Sequence, residues 1–170
     1  NIIHLPPGAI FTASKSNDGF HCRLKTCSQP VRYSGNTAQA SEEEFEHTLR
    51  AAVKNRLLSD VELGVYLSGG VDSKSIAYEL ARAKSSTDKI KSFTVGFTHA
   101  GYDETDEALS FAEHSGFLPH VLHIDGEALN YSYPVAVQSS ELVQPYTNGA
   151  AKWWLSLFTR NYVQGVLTGD

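Results

Sequence analysis

The chain has 170 residues, 41% hydrophobic, 19% charged and 11% aromatic; this is enough to bury a substantial core and excludes disorder, collagen and coiled coil. Its 14 basic and 19 acidic residues give a net charge of −5, which argues against general affinity for nucleic-acid backbones or anionic lipid, so an anionic ligand must be held locally. No apolar run reaches the roughly 18 to 20 residues of a membrane helix, and Asn1-Ile2-Ile3-His4 has no signal-peptide pattern, so a cytoplasmic protein is expected.

Residues 1–33 read as short strands and turns. Ile3-His4-Leu5 precedes Pro6-Pro7-Gly8, Ile10-Phe11-Thr12 follows, and Ser16-Asn17-Asp18-Gly19 is a turn cluster before the alternating Phe20-His21-Cys22-Arg23-Leu24. Cys22 and Cys27 are too few for a disulfide scaffold and have no second pair for a structural zinc, so ordinary reduced thiols are expected. The small, polar residues 34–40 read as a linker. At Ser41 the period changes: Ser41 and Glu44 form a capping-box pattern, and Phe45, Leu49, Ala52, Val53 and Leu57 recur at helical spacing, predicting a helix over about 42–58. Strand Leu63–Leu67, a glycine turn and a helix from near Ser73 through Ala83 follow. Strand Ile90–Phe97, helix Glu104–Ser115, strand His120–Ile124, helix Ala150–Tyr162 and strand Gly165–Leu167 continue the alternation. Such alternation predicts an α/β fold with a doubly wound, mostly parallel sheet, preceded by a short β segment, and with ligands at the carboxyl ends of the strands.

Ser68-Gly69-Gly70-Val71-Asp72-Ser73 occupies the first strand-to-helix turn. Glycines there let the backbone turn tightly and bring N–H groups against an anion, to which a helix start adds roughly half a positive charge. Ser68 and Ser73 add hydroxyl donors, whereas Asp72 repels phosphate unless a divalent metal lies between, so it reads as an Mg2+ ligand. Neither G-x-x-x-x-G-K-[ST] nor G-x-G-x-x-G is present, and Ser68 is not flanked as G-x-S-x-G.

The six residues resemble S-G-G-x-D-S, the pyrophosphate loop of the ATP pyrophosphatase (PP-loop) superfamily, which implies an adenine nucleotide alpha hydrolase-like fold. Ser59 through Ser73 resembles the S-D-V-P-x-G-x-x-L-S-G-G-x-D-S stretch of glutamine-dependent asparagine synthetases. Phe93-Thr94-Val95-Gly96-Phe97, Tyr102-Asp103-Glu104 with Ala108, and Val166-Leu167-Thr168-Gly169-Asp170 resemble later segments of that family in the same order. The resemblance covers residues 41–170, the front of an ATP-binding synthetase domain, while residues 1–33 resemble the end of an N-terminal glutaminase domain. It implies that Leu67 and Val95 line an adenosine pocket, that Ser68, Gly69, Gly70 and Ser73 hold pyrophosphate, and that Asp72 binds Mg2+. Thr168 and Gly169 would meet ATP, and Asp170 would face the acyl-adenylate, so Asp72, Ser73 and Asp170 are the expected catalytic residues. The implied reaction adenylates aspartate to β-aspartyl-AMP and forms asparagine with ammonia from glutamine, releasing AMP and pyrophosphate. A homodimer is compatible with the resemblance.

Departures limit that expectation. The family's amide-hydrolysing half begins with Cys, whereas position 1 here is Asn, so glutamine hydrolysis is not expected on this stretch. The absence of Met suggests an excerpt of a longer chain, and Asp170 precedes the second acidic residue expected to share the metal, so this stretch is not expected to turn over alone. β-Lactam synthetases and lasso-peptide cyclases, which use an internal amine acceptor, are an alternative, as is an inactive nucleotide- or partner-binding module. Lys74, where the family usually has a small residue, either contacts phosphate or points into solvent, the latter being favoured. His120 and His123, three apart on a strand, fall on opposite faces and do not predict shared metal ligation, and His114 reads as an ordinary histidine. Asp103, Glu104, Asp106 and Glu107 read as helix-start acids rather than an acid/base pair. Trp153, Trp154, Leu157 and Phe158 are expected to cover the sheet, and Glu141 lies where the resemblance places the approach to the substrate pocket.

Overall fold

The computed structural model describes residues 4–27, 41–84, 89–98, 101, 103–140 and 148–169. The chain divides into two compact units, Asn1–Ser41 and Glu42–Asp170. The first contains an antiparallel ribbon of β1 (Ala9–Ser16) and β2 (Gly19–Thr26), joined by the turn Asn17–Asp18 and re-entered at Gly19, whose φ of 128° suits a residue without a side chain. Register places Phe11 opposite Leu24, Ala13 opposite Cys22 and Lys15 opposite Phe20 on one face of the ribbon. His4 and Leu5, expected in a strand, lie outside the ribbon because the turn at Pro6–Gly8 precedes it. Both cysteines are free and exposed.

The second unit begins with α1 (Glu42–Arg56), which has three glutamates in its first turn and Lys54 and Arg56 in its last, complementing the helix dipole. It continues through β3 (Leu63–Tyr66), α2 (Val71–Ala83), β4 (Lys91–Phe97), α3 (Thr105–His114) and β5 (Leu118–Ile124). Helices α4 (Gly126–Ser140) and α5 (Asn148–Thr159) precede β6 (Gly165–Leu167). The four strands are parallel in the order β5-β4-β3-β6. Progression from β3 outward to β5 is followed by a return to the other side of β3, so the direction of winding reverses between β3 and β6.

The alternation of side chains along β3 sorts the two faces. Val65 and Leu67 pack with Leu80 of α2, Ala108 and Ala112 of α3 and Val53 of α1. Phe93 of β4, fully buried, packs with Leu155 of α5 and Val163 on the other face, supported by Tyr66, Val95 and Phe158. Helices therefore cover both faces, as expected for a doubly wound sheet. Beside the apolar cluster that Val53 and Leu80 share, α1 and α2 have a polar link: Glu79, 2% exposed, accepts from Arg50 Nε at 3.0 Å and from Arg82 at 3.4 Å, while Glu46 pairs with both arginines.

The expected elements shift in three places. Helix α2 begins at Val71, so Asp72 and Ser73 belong to its first turn. Helix α4 fills a stretch with no predicted element, and contains Pro134. On α5, Ala151, Leu155 and Thr159 form the buried stripe; Phe158 joins the Phe93 cluster, but Leu157 is 38% exposed and Trp154 Nε1 donates to Ala128 O of α4 at 3.2 Å. Phe158, Trp154 and Leu157, expected together over the sheet, thus divide between the sheet, α4 and solvent, because the buried stripe follows a spacing of four from Ala151.

Candidate functional site

In a doubly wound sheet the crevice opens beyond the carboxyl ends of the strands, where winding reverses. Here that point lies between β3 and β6, and the segments leaving those strands are Leu67–Gly70 and Thr168–Gly169. Leu67 keeps the chain beside β4 for one more residue: its N–H donates to Phe93 O at 2.9 Å and its carbonyl accepts from Thr94 Oγ1 at 2.9 Å. The backbone then leaves the sheet, with Gly70 as the N-cap of α2. Gly70 has φ −69° and ψ 150° and provides no side-chain cap, leaving the first-turn N–H groups of α2 without that partner.

The glycines serve close approach rather than unusual dihedrals. Among the described glycines positive φ occurs only at Gly8, Gly19 and Gly116, so Gly69 and Gly70 make the turn with dihedrals open to other residues. A Cβ on Gly69 would stand 2.7 Å from Glu107 Oε2 and 3.0 Å from Glu104 Cβ, whereas one on Gly169 would stand 2.7 Å from Ser73 N. The backbone after β6 therefore rests directly on the first turn of α2.

Serine hydroxyls hold the turn. Ser68 N donates to Ser73 Oγ at 3.1 Å, Gly70 N donates to Ser68 Oγ at 3.1 Å, and the two hydroxyls are 3.0 Å apart. Ser73 Oγ also lies 3.1 Å from Gly70 O. Gly69 N donates to Glu104 Oε2, at 2.9 Å, from the residue preceding α3.

A cavity of about 800 Å³ opens over this turn, within the range of small-molecule sites. It is lined by Leu67, Ser68, Gly70, Asp72, Ser73, Val95, Thr168 and Gly169, so the three segments singled out in the sequence meet at one place. Gly69 is not among the lining residues, and Asp170 and Glu141 lie outside the described residues. The cavity also takes Tyr66, Phe97, Glu104, Asp125, Leu129 and Lys152, none of which the sequence reading assigned to a pocket. Only proximity in the fold brings α4 and α5 to this wall.

Asp103 and Glu104 divide the work expected of a helix-start acid. Asp103 Oδ1 accepts from Phe97 N and Thr105 N at 3.3 Å and from the Thr105 hydroxyl; the hydroxyl bond first, with help from the two N–H bonds, holds its carboxyl below the usual carboxylate range although desolvation pushes the other way. Glu104, at the N-cap position, makes no cap bond and reaches the glycine turn instead. Lys74 is neither on the cavity wall nor free in solvent: its ammonium is 3.5 Å from Glu107 Oε2. Both departures have the same origin, since the start of α3 lies against the start of α2.

The histidines do not converge. His120 is paired with Phe93 in register and stacks on it at 5.3 Å, whereas His123 is beside Gly96, whose Cβ would meet its Nδ1 at 2.6 Å. Burial, and then Lys91, holds the His120 pKa below its ordinary value. No cluster of three or more His, Cys, Asp or Glu able to hold a metal occurs among the described residues. The donors nevertheless fit a magnesium ion carried with a phosphate ligand: Mg2+ takes one or two carboxylates and completes its shell with phosphate oxygens and water, and Asp72 offers such a carboxylate on the cavity wall.

The asparagine synthase family model matches residues 44–170. The amidase chyE of Penicillium rubens is 36% identical over 149 residues, covering 76% of this chain and 22% of that protein. Asparagine synthetase [glutamine-hydrolyzing] 1 of Bacillus subtilis is 33% identical over 107 residues, covering 60% of this chain and 15% of that protein. The chain thus spans less than a quarter of the length of these curated relatives. Among solved structures, the NMN synthetase of Francisella tularensis superposes with a TM-score of 0.53 at 15% identity, covering 76% of this chain and 55% of that one, which supports the fold.

Proposed function

This chain belongs to the asparagine synthase family, and from that premise we propose that its Glu42–Asp170 unit is the nucleotide-binding front of an ATP-dependent amide-forming ligase. The observation that carries this reading is the meeting of the Ser68–Ser73 turn, Val95 and Thr168–Gly169 around one cavity at the reversal point of the sheet. ATP lies with its adenosine against Leu67 and Val95 and its β- and γ-phosphates against Ser68, Gly69, Gly70 and Ser73, with Thr168 and Gly169 meeting it from the end of β6. Asp72 holds Mg2+, which supplies charge neutralisation to the phosphates when bound. The carboxylate of aspartate attacks the α-phosphorus, forming β-aspartyl-AMP as the bond to pyrophosphate breaks, and ammonia derived from glutamine then displaces AMP. The fixed dipoles of the turn and of the first turn of α2 stabilise the negative charge that gathers on the departing pyrophosphate. Asp170 is assigned to the acyl-adenylate side, and the β1–β2 ribbon, with Phe11, Leu24 and Phe20 exposed, is read as the closing hairpin of a glutaminase domain.

A second reading keeps the adenylation and changes the carboxylate or acceptor. It is favoured by the amidase chyE, which matches a larger share of this chain than the Bacillus subtilis asparagine synthetase does. The test is pyrophosphate release by the intact protein from Mg-ATP with aspartate, and with a panel of other carboxylates. Release with aspartate supports the first reading, release only with another carboxylate supports the second, and no release with any of them overturns both.

A further inference from the structure

The N–H groups of the glycine turn already have acceptors. Ser68 N and Gly70 N use serine hydroxyls, whereas Gly69 N uses the carboxylate of Glu104. These acceptors differ in kind. A hydroxyl rotates and can itself donate to an incoming oxygen, but an ionised carboxylate only accepts and carries a full negative charge. An amide N–H has one hydrogen, so a phosphate oxygen and Glu104 contend for the same donor. Glu104 also lines the cavity, which places its charge beside any phosphate that enters. The nearby ammonium of Lys74 pairs with Glu107.

We propose that Glu104 is an internal anion seated on the cradle, which an incoming pyrophosphate group displaces from the Gly69 N–H, and that Glu104 thereby sets the affinity of the site. This rests on the pyrophosphate role given above to the Ser68–Ser73 turn. Exchange requires Glu104 to rotate off Gly69 N, because Gly69 does not itself line the cavity while the carboxylate is seated there. The serine network remains to hold the turn while the carboxylate swings away.

The experiment is calorimetric titration of the intact protein with inorganic pyrophosphate at a fixed excess of Mg2+, comparing Glu104→Gln, Glu104→Ala and Glu107→Gln with the unaltered chain. Glutamine keeps a carbonyl acceptor for Gly69 N but removes the charge, so the turn keeps its shape while its competitor weakens. Glu104→Gln is expected to tighten pyrophosphate binding about fivefold, the difference between a charged and a neutral hydrogen bond, and Glu104→Ala at least as much. Glu107→Gln is expected to change it less than about twofold, because its carboxylate accepts no bond from the turn. Unchanged or weaker binding in either Glu104 variant overturns the proposal and makes Glu104 a strut for the loop. Equal tightening in Glu107→Gln also overturns it, since a diffuse charge effect then explains the result. If neither the unaltered chain nor any variant binds pyrophosphate, the assignment of the turn falls as well, an outcome distinct from normal binding that is indifferent to Glu104.

Discussion

Gly169 and Ser73 meet backbone to backbone: a Cβ on Gly169 would be 2.7 Å from Ser73 N and 2.9 Å from Ser73 Cα. Both neighbouring atoms belong to the first turn of a helix and cannot move aside as the end of a side chain can. Gly169→Ala should therefore push β6 and α2 apart, lowering stability by about 1–3 kcal/mol. Chemical denaturation measures that loss. The Michaelis constant for ATP should rise in the same variant, because the displaced atoms line the cavity.

Ser73 holds both ends of the turn through one hydroxyl, and Ser73→Ala leaves Ser68 N without its acceptor. Pyrophosphate affinity is expected to fall about tenfold, in line with one lost hydrogen bond of roughly 1.4 kcal/mol. Ser75→Ala is the control, since the Ser75 hydroxyl bonds only to Val71 O within α2. Equal loss in both variants would count against a specific role for Ser73.

Asp72→Asn keeps the shape of the side chain and removes its charge. If Asp72 holds Mg2+, pyrophosphate release should drop about 100-fold or more, and a higher Mg2+ concentration should restore part of it. Stability should fall by no more than about 1 kcal/mol, the contribution of one exposed charge in a helix first turn.

His120 gives the fold a pH dependence whose sign follows from its surroundings. Its pKa in the folded protein lies below the ordinary value of about 6.5, chiefly through burial and secondarily through Lys91. The unfolded chain therefore takes up a proton first as pH falls, so the His120 contribution is complete above about 6.5 and is lost as pH drops towards the folded value. His120→Phe, which preserves a ring against Phe93 and Tyr162, should flatten the fall in stability between about pH 7 and 5. Denaturant midpoints across that range measure the slope in the two proteins.

Phe93 is the fully buried ring around which His120, Phe158 and Tyr162 gather. Phe93→Ala should cost about 3–5 kcal/mol by unfolding titration. The substitution also removes a wall of the cavity, so any protein that remains folded should bind ATP more weakly.

The sheet was legible because β3 (Leu63–Tyr66) and β6 (Gly165–Leu167) are short apolar runs and β4 and β5 carry Phe93, Val95, Phe97, Val121, Leu122 and Ile124 between helical stretches. The turn was legible because serine, glycine and aspartate stand at fixed offsets within six residues. Helix α4 was not, since Tyr131, Val135 and Pro134 are all on its exposed surface and only Ser132 and Ala136 are buried, a stripe too small and polar to show helical periodicity. Glu104 was read correctly as lying at a helix start, but its bond to Gly69 spans 35 residues and depends on how α3 leans on α2, which no local pattern encodes. The same holds for Lys74, whose partner Glu107 belongs to the next helix.

The pairing of β3 with β6 joins Leu63 to Gly165, about a hundred residues further along the chain, whereas β3 with β4 and β4 with β5 join segments close in sequence. Loop-closure entropy makes that distant pairing more costly than the local ones. The wall at Thr168–Gly169 therefore exists only in molecules that have made this pairing, whatever its timing. A nucleotide that needs both walls binds only molecules that have completed this step, so its stabilising effect falls wholly on the finished sheet and draws the folding equilibrium towards it.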